Sequence, residues 1–250
     1  MGLGKNQPCS FSYQDYQCPL HADDDSDLCL FHADEPVRPV QLSSRLKSLD
    51  HELRDLGSRT NRTSKVLLDS VNIDNPEAEM LRHLNLRNVH WIRGTFKSIQ
   101  CEDALFQNHA FEDCETRDLR MIRSALDSFK ISNSYQDGGY LLRSSLVDGC
   151  IESMILREGS RFSLEESSLV RVFIVKAQIS HANLLNCRLE RVEILDSKCT
   201  SLNLEHCDLV GCDLRGIWGS LYFKECRIFD CKIPEPSEFL TLSLIDCERE

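Results

Sequence analysis

Five side chains near the start of the chain have the types and spacing to do chemistry: Cys9, Cys18, His21, Cys29 and His32. They form two C-x-x-H pairs, Cys18-Pro-Leu-His21 and Cys29-Leu-Phe-His32, with Cys9 as an extra thiol. Thiolate and imidazole are the preferred ligands of zinc, and a closed structural site takes four of them. Short Cys/His spacing of this kind points to metal rather than to disulfides. The segment is too small to build a core, so metal binding would supply its folding energy. Cys9, Cys18, Cys29 and His32 are the favoured ligands of one structural zinc. The alternative drops Cys9 and uses His21, giving two C-x-x-H knuckles. No open coordination position is evident, which argues against a catalytic metal. Asp23, Asp24, Asp25 and Asp27 read as a solvated loop.

What must position this head is read from the residues that follow. Leu42, Leu46, Leu49, Leu53 and Leu56 recur at spacings of four and three, the stripe of an amphipathic helix over 41–56. Gly57 suits its C-terminal end. The stripe predicts a helix that caps whatever follows; its other use is self-association into a homodimer. Residues 57–65 read as a linker, and 66–73 as a short strand or a first irregular turn.

From residue 84 to 233 the chain repeats every five residues. Ala177, Ala182 and Cys187 are each followed two positions later by Ile179, Leu184 and Leu189. The series continues through Ile194, Cys199, Leu204, Leu209 and Leu214. Backward, Phe96, Phe106, Phe111, Met121, Leu126, Ile131, Leu141, Leu146, Ile151 and Leu156 share one grid. A period of five is neither helix nor flat strand. It fits a chain that turns a corner every five residues and points two side chains inward per pentad. The grid slips near Glu158–Arg161 and again at Ile217–Ser220, with glycine at both places. Phe129 and Met154 are large for the small inward position, which predicts local bulging. Gln136 stands where an apolar residue belongs, and 137–140 reads as a bulge or short loop. Pro234 and Pro236 mark where winding stops or changes.

Ala182-Asn183-Leu184, Cys207-Asp208-Leu209 and Cys212-Asp213-Leu214 are the clearest copies of a motif A-(D/N)-L-x-x. In this the chain resembles the pentapeptide-repeat family. The resemblance implies an all-β fold, a right-handed quadrilateral β-helix. Four pentads per turn give seven to eight turns, about 35 Å of stacked coils. The expected domains are a zinc-binding head (1–35), a capping helix and linker (36–83), the solenoid (84–233) and a C-terminal cap (234–250). Some bacterial members carry a Cys-rich head ending in C-x-F-H, and Cys29-Leu-Phe-His32 looks like that ending.

The chain has 40 carboxylates against 29 Lys plus Arg, so a basic nucleic-acid footprint is absent. No run of eighteen apolar residues suggests a membrane span, and the first residues lack a signal-peptide core. Of the 13 cysteines, Cys114, Cys187, Cys207, Cys212, Cys226 and Cys231 fall on the small inward position. Cys101 and Cys199 fall on the central one. Cysteine there is a small buried hydrophobe. Many buried, unpaired thiols imply a reducing compartment, so the expected location is the cytoplasm.

No nucleophile elbow, phosphate loop or dinucleotide fingerprint occurs. His109, His181 and His206 occupy different places in the pentad and read as surface or core histidines. A non-enzymatic scaffold for a protein partner is the favoured function. The alternative, implied by the family resemblance, is an acidic DNA mimic that occupies a type II topoisomerase such as gyrase. Residues 81–250 hold 26 acidic and 21 basic side chains, a net of −5, which is a weak substitute for a phosphate backbone.

Overall fold

The computed structural model describes residues 7–10, 12–13, 16–18, 29, 66–69, 72–74, 80–83, 85–158 and 160–249. The expected capping helix (41–56) and linker (57–65) lie outside the described residues. Among the described residues there is no helix. The strands from Val66–Asp69 to Glu248–Arg249 pair in parallel with strands of adjacent turns. They gather into sheets of 14 and 12 strands. The result is a β-solenoid of about eight turns.

Partners lie one turn apart, so the turn length can be read from the register. Leu86 pairs with Phe106, Phe106 with Leu126, and Leu126 with Leu146, a turn of four pentads. Three residues are added where Leu146 meets Leu169. The addition falls after Leu156, which pairs with Gln136, and before Phe162, which pairs with Gly139. One residue is dropped opposite Cys199–Leu202, at Gly219–Leu221. These are the two phase slips visible in the sequence. Gly219 is required at the second: its φ is +122°, and a Cβ there would lie 1.7 Å from the carbonyl oxygen of Cys199.

Pairing extends past residues 84 and 233 on both sides. Val66–Asp69 and Asn72–Asp74 pair with Val89–Ile92 and Thr95–Lys97, so they form a first turn. After Pro234 and Pro236 the chain rejoins the ladder, and Leu240–Ile245 pairs with Ile217–Lys224. The prolines therefore sit in a detour of the winding.

The corner of most pentads is a residue in the left-handed region. Asn88 (φ 58°), Asp103 (52°), Arg123 (46°) and Arg171 (52°) are examples. For a non-glycine residue this costs about 1 kcal/mol. The compensation is a backbone hydrogen bond to the next turn. Asn88 N–H donates to Gln107 O at 2.9 Å, Asp103 N–H to Ile122 O at 3.0 Å, and Arg123 N–H to Leu142 O at 2.9 Å.

The two inward positions of each pentad fill the interior. Leu86, Leu141, Leu204, Leu209, Leu214 and Phe223 are fully buried. Cys101 and Cys199 are buried at central positions, and burial pushes both thiols up to about 12. Buried serines at the small position are satisfied rather than inert filler. Ser124 Oγ donates to Ile122 O at 2.9 Å and accepts from Ala104 N–H at 3.1 Å.

Two expected irregularities are absent, each for a physical reason. Phe129 does not bulge the coil, because Gly149 lies under it in the next turn. A Cβ on Gly149 would come within 2.0 Å of the Phe129 ring. Around Gln136 the strand Tyr135–Leu142 is continuous and keeps constant register with Glu115–Ile122. Gln136 is buried, and its amide donates to the carbonyl of Gly138 within the same strand.

The Phe129–Gly149 stack makes a prediction. Gly149→Leu should destabilise the protein by about 3 kcal/mol through overpacking, and Phe129→Ala by about 3–5 kcal/mol through a cavity. The double variant should lose less than the sum, by more than about 1 kcal/mol. Denaturant titration of the four proteins measures this, and strict additivity would contradict the stacking.

Candidate metal centre

The head is built on a two-stranded antiparallel hairpin. Ser12–Tyr13 pairs with Tyr16–Gln17, with Ser12 opposite Gln17 and Tyr13 opposite Tyr16. The hairpin reverses the chain between Cys9 and Cys18 and brings these two thiols together. Cys29 joins them from 11 residues further on. The three sulfurs all lie within 4.8 Å of one another, and all three residues are buried. Cys18 Sγ and Cys29 Sγ are 4.0 Å apart. Cys29 N–H donates to Cys9 Sγ at 3.1 Å.

The spacing can be tested against zinc. A tetrahedral zinc with bonds of about 2.3 Å holds its sulfurs about 3.8 Å apart. The 4.0 Å separation of Cys18 and Cys29 fits that edge. The three thiols thus fit three corners of a structural site. Of the residues expected at the site, the structure brings together Cys9, Cys18 and Cys29. His32 and His21 lie outside the described residues.

The thiols are part of a larger buried cluster with Leu68, Ile73, Leu81, Leu86 and Trp91. The cluster joins the thiols of the head to the first turn of the solenoid. The hairpin is the element that sequence reasoning missed. Its signal is the Tyr-Gln-Asp-Tyr stretch, two strand formers around two turn residues.

The solenoid histidines are spread over three environments. His206 is a corner residue (φ 53°), with its Nδ1 3.2 Å from a Glu225 carboxylate oxygen. His181 is half-buried. His109 is buried at a small inward position, ringed by Phe106 and Phe111 at 5.5 and 6.0 Å. Its Nδ1 accepts from Trp91 Nε1–H at 3.3 Å, so Nε2 carries the proton. Nε2 has no hydrogen-bond partner among the described residues. Burial drives the imidazole down to about 4.

On the outer faces, carboxylates and arginines pair, often across turns. Arg123 holds Glu102 at 2.6 Å and Asp103 at 2.8 Å. Arg143 holds Glu166 at 2.6 Å, Arg227 holds Asp208 at 2.5 Å, and Arg171 holds Asp148. Arg117 and Arg120 pair with Glu115 and Asp118. The Arg215 hydrogen bonds hold Asp213 down at about 2.

Stacked pentads with two inward positions and a left-handed corner define the class: a pentapeptide-repeat-like β-solenoid. No family model matches the chain, and no curated protein does. Among solved structures, the chain is similar to a trypsin-treated variant of QnrB1, a plasmid-mediated fluoroquinolone resistance protein. That match has a TM-score of 0.36 and 13% identity, covering 73% of this chain and 89% of that one. Full-length QnrB1 matches with a TM-score of 0.34 and 10% identity over 75% and 94% of the two chains. HetL, a pentapeptide repeat protein involved in heterocyst differentiation regulation in Nostoc sp. strain PCC 7120, matches with a TM-score of 0.24. Its identity is 14% over 78% and 92%.

The buried imidazole sets a pH dependence. His109 has a lower affinity for protons when folded (about 4) than its ordinary 6.5. Between these values the unfolded chain binds more protons, so stability falls as pH drops from about 6.5 to 4. The loss from this residue is about 3 kcal/mol. Chemical denaturation of His109→Leu across that window should show a shallower pH dependence by this amount. An unchanged slope would place the imidazole in water.

Proposed function

We propose that this protein is a non-enzymatic, protein-binding scaffold: a pentapeptide-repeat solenoid closed at its mouth by a head that holds one structural zinc. The observation that carries the reading is the mutual approach of Cys9, Cys18 and Cys29 in a buried setting. Three sulfurs fill three corners, and His32 supplies the fourth, with His21 as the alternative ligand. Zinc bound here orders the head and presents it to a partner. The charge pattern supports a scaffold over a DNA mimic. A mimic needs a row of unneutralised carboxylates, whereas Asp103, Asp148, Glu166 and Asp208 are each engaged by an arginine one turn away. The buried thiols suit a reducing compartment, which we take to be the cytoplasm.

Elemental analysis of protein purified without chelator should give about one zinc per chain. Cys29→Ser should lose the metal and leave the head open to proteolysis. Zinc retained by Cys9→Ser but lost by His21→Ala would select the two-knuckle ligand set. Absence of metal from the purified protein, with Cys29→Ser leaving the head as protease-resistant as in wild type, would refute the site.

The scaffold and the mimic differ in a supercoiling assay. The full chain at micromolar concentration should leave gyrase activity unchanged. A partner recovered by affinity capture should be lost when residues 1–35 are deleted. Potent, salt-sensitive inhibition by the chain, with DNA in competition, would establish the mimic instead.

A further inference from the structure

The cysteines of the last turns are arranged in columns. One small inward position, followed down the solenoid, reads Ser124, Ser144, Ser167, Cys187, Cys207, Cys226 and Cys247. The neighbouring column ends in Cys212 and Cys231, whose flanking residues Asp213 and Lys232 pair directly. The thiols share one orientation. Each donates to the carbonyl two residues before it: Cys207 to Glu205, Cys226 to Lys224 and Cys247 to Ile245, all at 3.3 Å, and Cys231 to Phe229 at 3.2 Å. Adjacent sulfurs are therefore related by one step of the coil. The register stacks Cys226 between Cys207 and Cys247, and Cys212 N–H donates to Cys231 Sγ at 3.3 Å.

The step length decides what such pairs can hold. Stacked strands are about 4.8 Å apart. A disulfide needs Cβ atoms about 3.8 Å apart, so forming one would pinch two turns that ladder hydrogen bonds hold at fixed spacing. A cation midway between two sulfurs about 4.8 Å apart sits about 2.4 Å from each, a metal–thiolate bond length. Two ligands in line suit a soft, monovalent d¹⁰ ion, and thiolate selects Cu(I). Access exists only at the C-terminal end. Cys231 and Cys247 are half-buried, while Cys207, Cys212 and Cys226 are buried. Cys231 lines an open groove with Ile233, Pro234, Pro236 and Arg249.

We propose that the C-terminal end of the solenoid carries two linear, two-sulfur sites for a soft d¹⁰ cation such as Cu(I), one between Cys226 and Cys247 and one between Cys212 and Cys231. Each site forms with loss of two thiol protons and no change of oxidation state. The sites are independent of the head, whose three sulfurs cluster around a point rather than along a line.

The test is anaerobic titration of the zinc-loaded full chain with acetonitrile-stabilised Cu(I) against a chromophoric chelator, with zinc measured in parallel. Serine already occupies the Cys247 column three turns running, and Cys231 is only half-buried, so Cys231→Ser/Cys247→Ser should fold, which circular dichroism checks. The double variant should bind about two fewer Cu(I) per chain than wild type. X-ray absorption on the copper lost in the variant should show two sulfur neighbours. In wild type, Cu(I) should slow native alkylation of Cys231 and Cys247, a readout that needs no variant. Equal copper uptake by both proteins, unchanged alkylation rates, or a Cys226–Cys247 disulfide in anaerobically purified protein would overturn the proposal.

Discussion

Through most of the solenoid the inward side chains are placed by one backbone hydrogen bond, from the corner N–H of a pentad to a carbonyl of the next turn. His83 donates to Glu102, Asn88 to Gln107 and Ser98 to Arg117, each at 2.9 or 3.0 Å. The bond forms only when the corner residue adopts positive φ, a conformation that L-residues avoid. The molecule accepts that strain in most pentads because the bond it permits ties each corner to the next turn. This is why arginine, lysine and glutamate stand at corners where asparagine or glycine would be easier: Arg143, Lys176 and Glu225 all have φ near 50°. Local propensity yields to the ladder.

A ladder of this kind has two open ends, and the chain closes them with different chemistry. At the first turn, the three thiols of the head join Leu68, Ile73 and Leu81 in one buried cluster. At the last, a detour through two prolines returns the chain to the ladder, and Leu240 is buried against the core. Trp218 and Phe239 remain exposed there. The ladder absorbs both phase slips: three residues are added between Leu156 and Phe162, one is dropped at Gly219–Leu221, and parallel pairing continues past each.

The inward grid was legible from the sequence because burial repeats at a fixed interval. The slips at 157–161 and 219–221 were legible because the interval breaks there. What lay beyond it was vertical. Gly149 reads as a weak inward residue until the turn length sets it under Phe129. Gln136 reads as an interruption until its amide is seen to be satisfied by Gly138. The column from Cys187 to Cys247 is invisible at a fixed period, since its members are separated by intervals that change at the second slip and again after the prolines. In the head, type and spacing singled out Cys9, Cys18 and Cys29, which the structure brings together. The head's geometry was not legible, because a hairpin of two-residue strands carries almost no periodic signal.

The same inward position changes chemistry along the axis, and the change has a physical sense. In the upper turns it is serine, and each hydroxyl both donates to a carbonyl and accepts a backbone N–H: Ser144 takes Leu142 O at 2.9 Å and Ser124 N–H at 3.1 Å. Such a group is fully engaged, and a buried hydroxyl must be. In the lower turns it is cysteine, a weaker donor to the same carbonyls: Cys207 to Glu205 O and Cys226 to Lys224 O at 3.3 Å. The upper column therefore stiffens the ladder by satisfying backbone polarity. The lower column leaves a line of polarisable, ionisable atoms inside an otherwise apolar core. The backbone is the same in both halves; one atom type separates an inert stack from one with chemistry of its own.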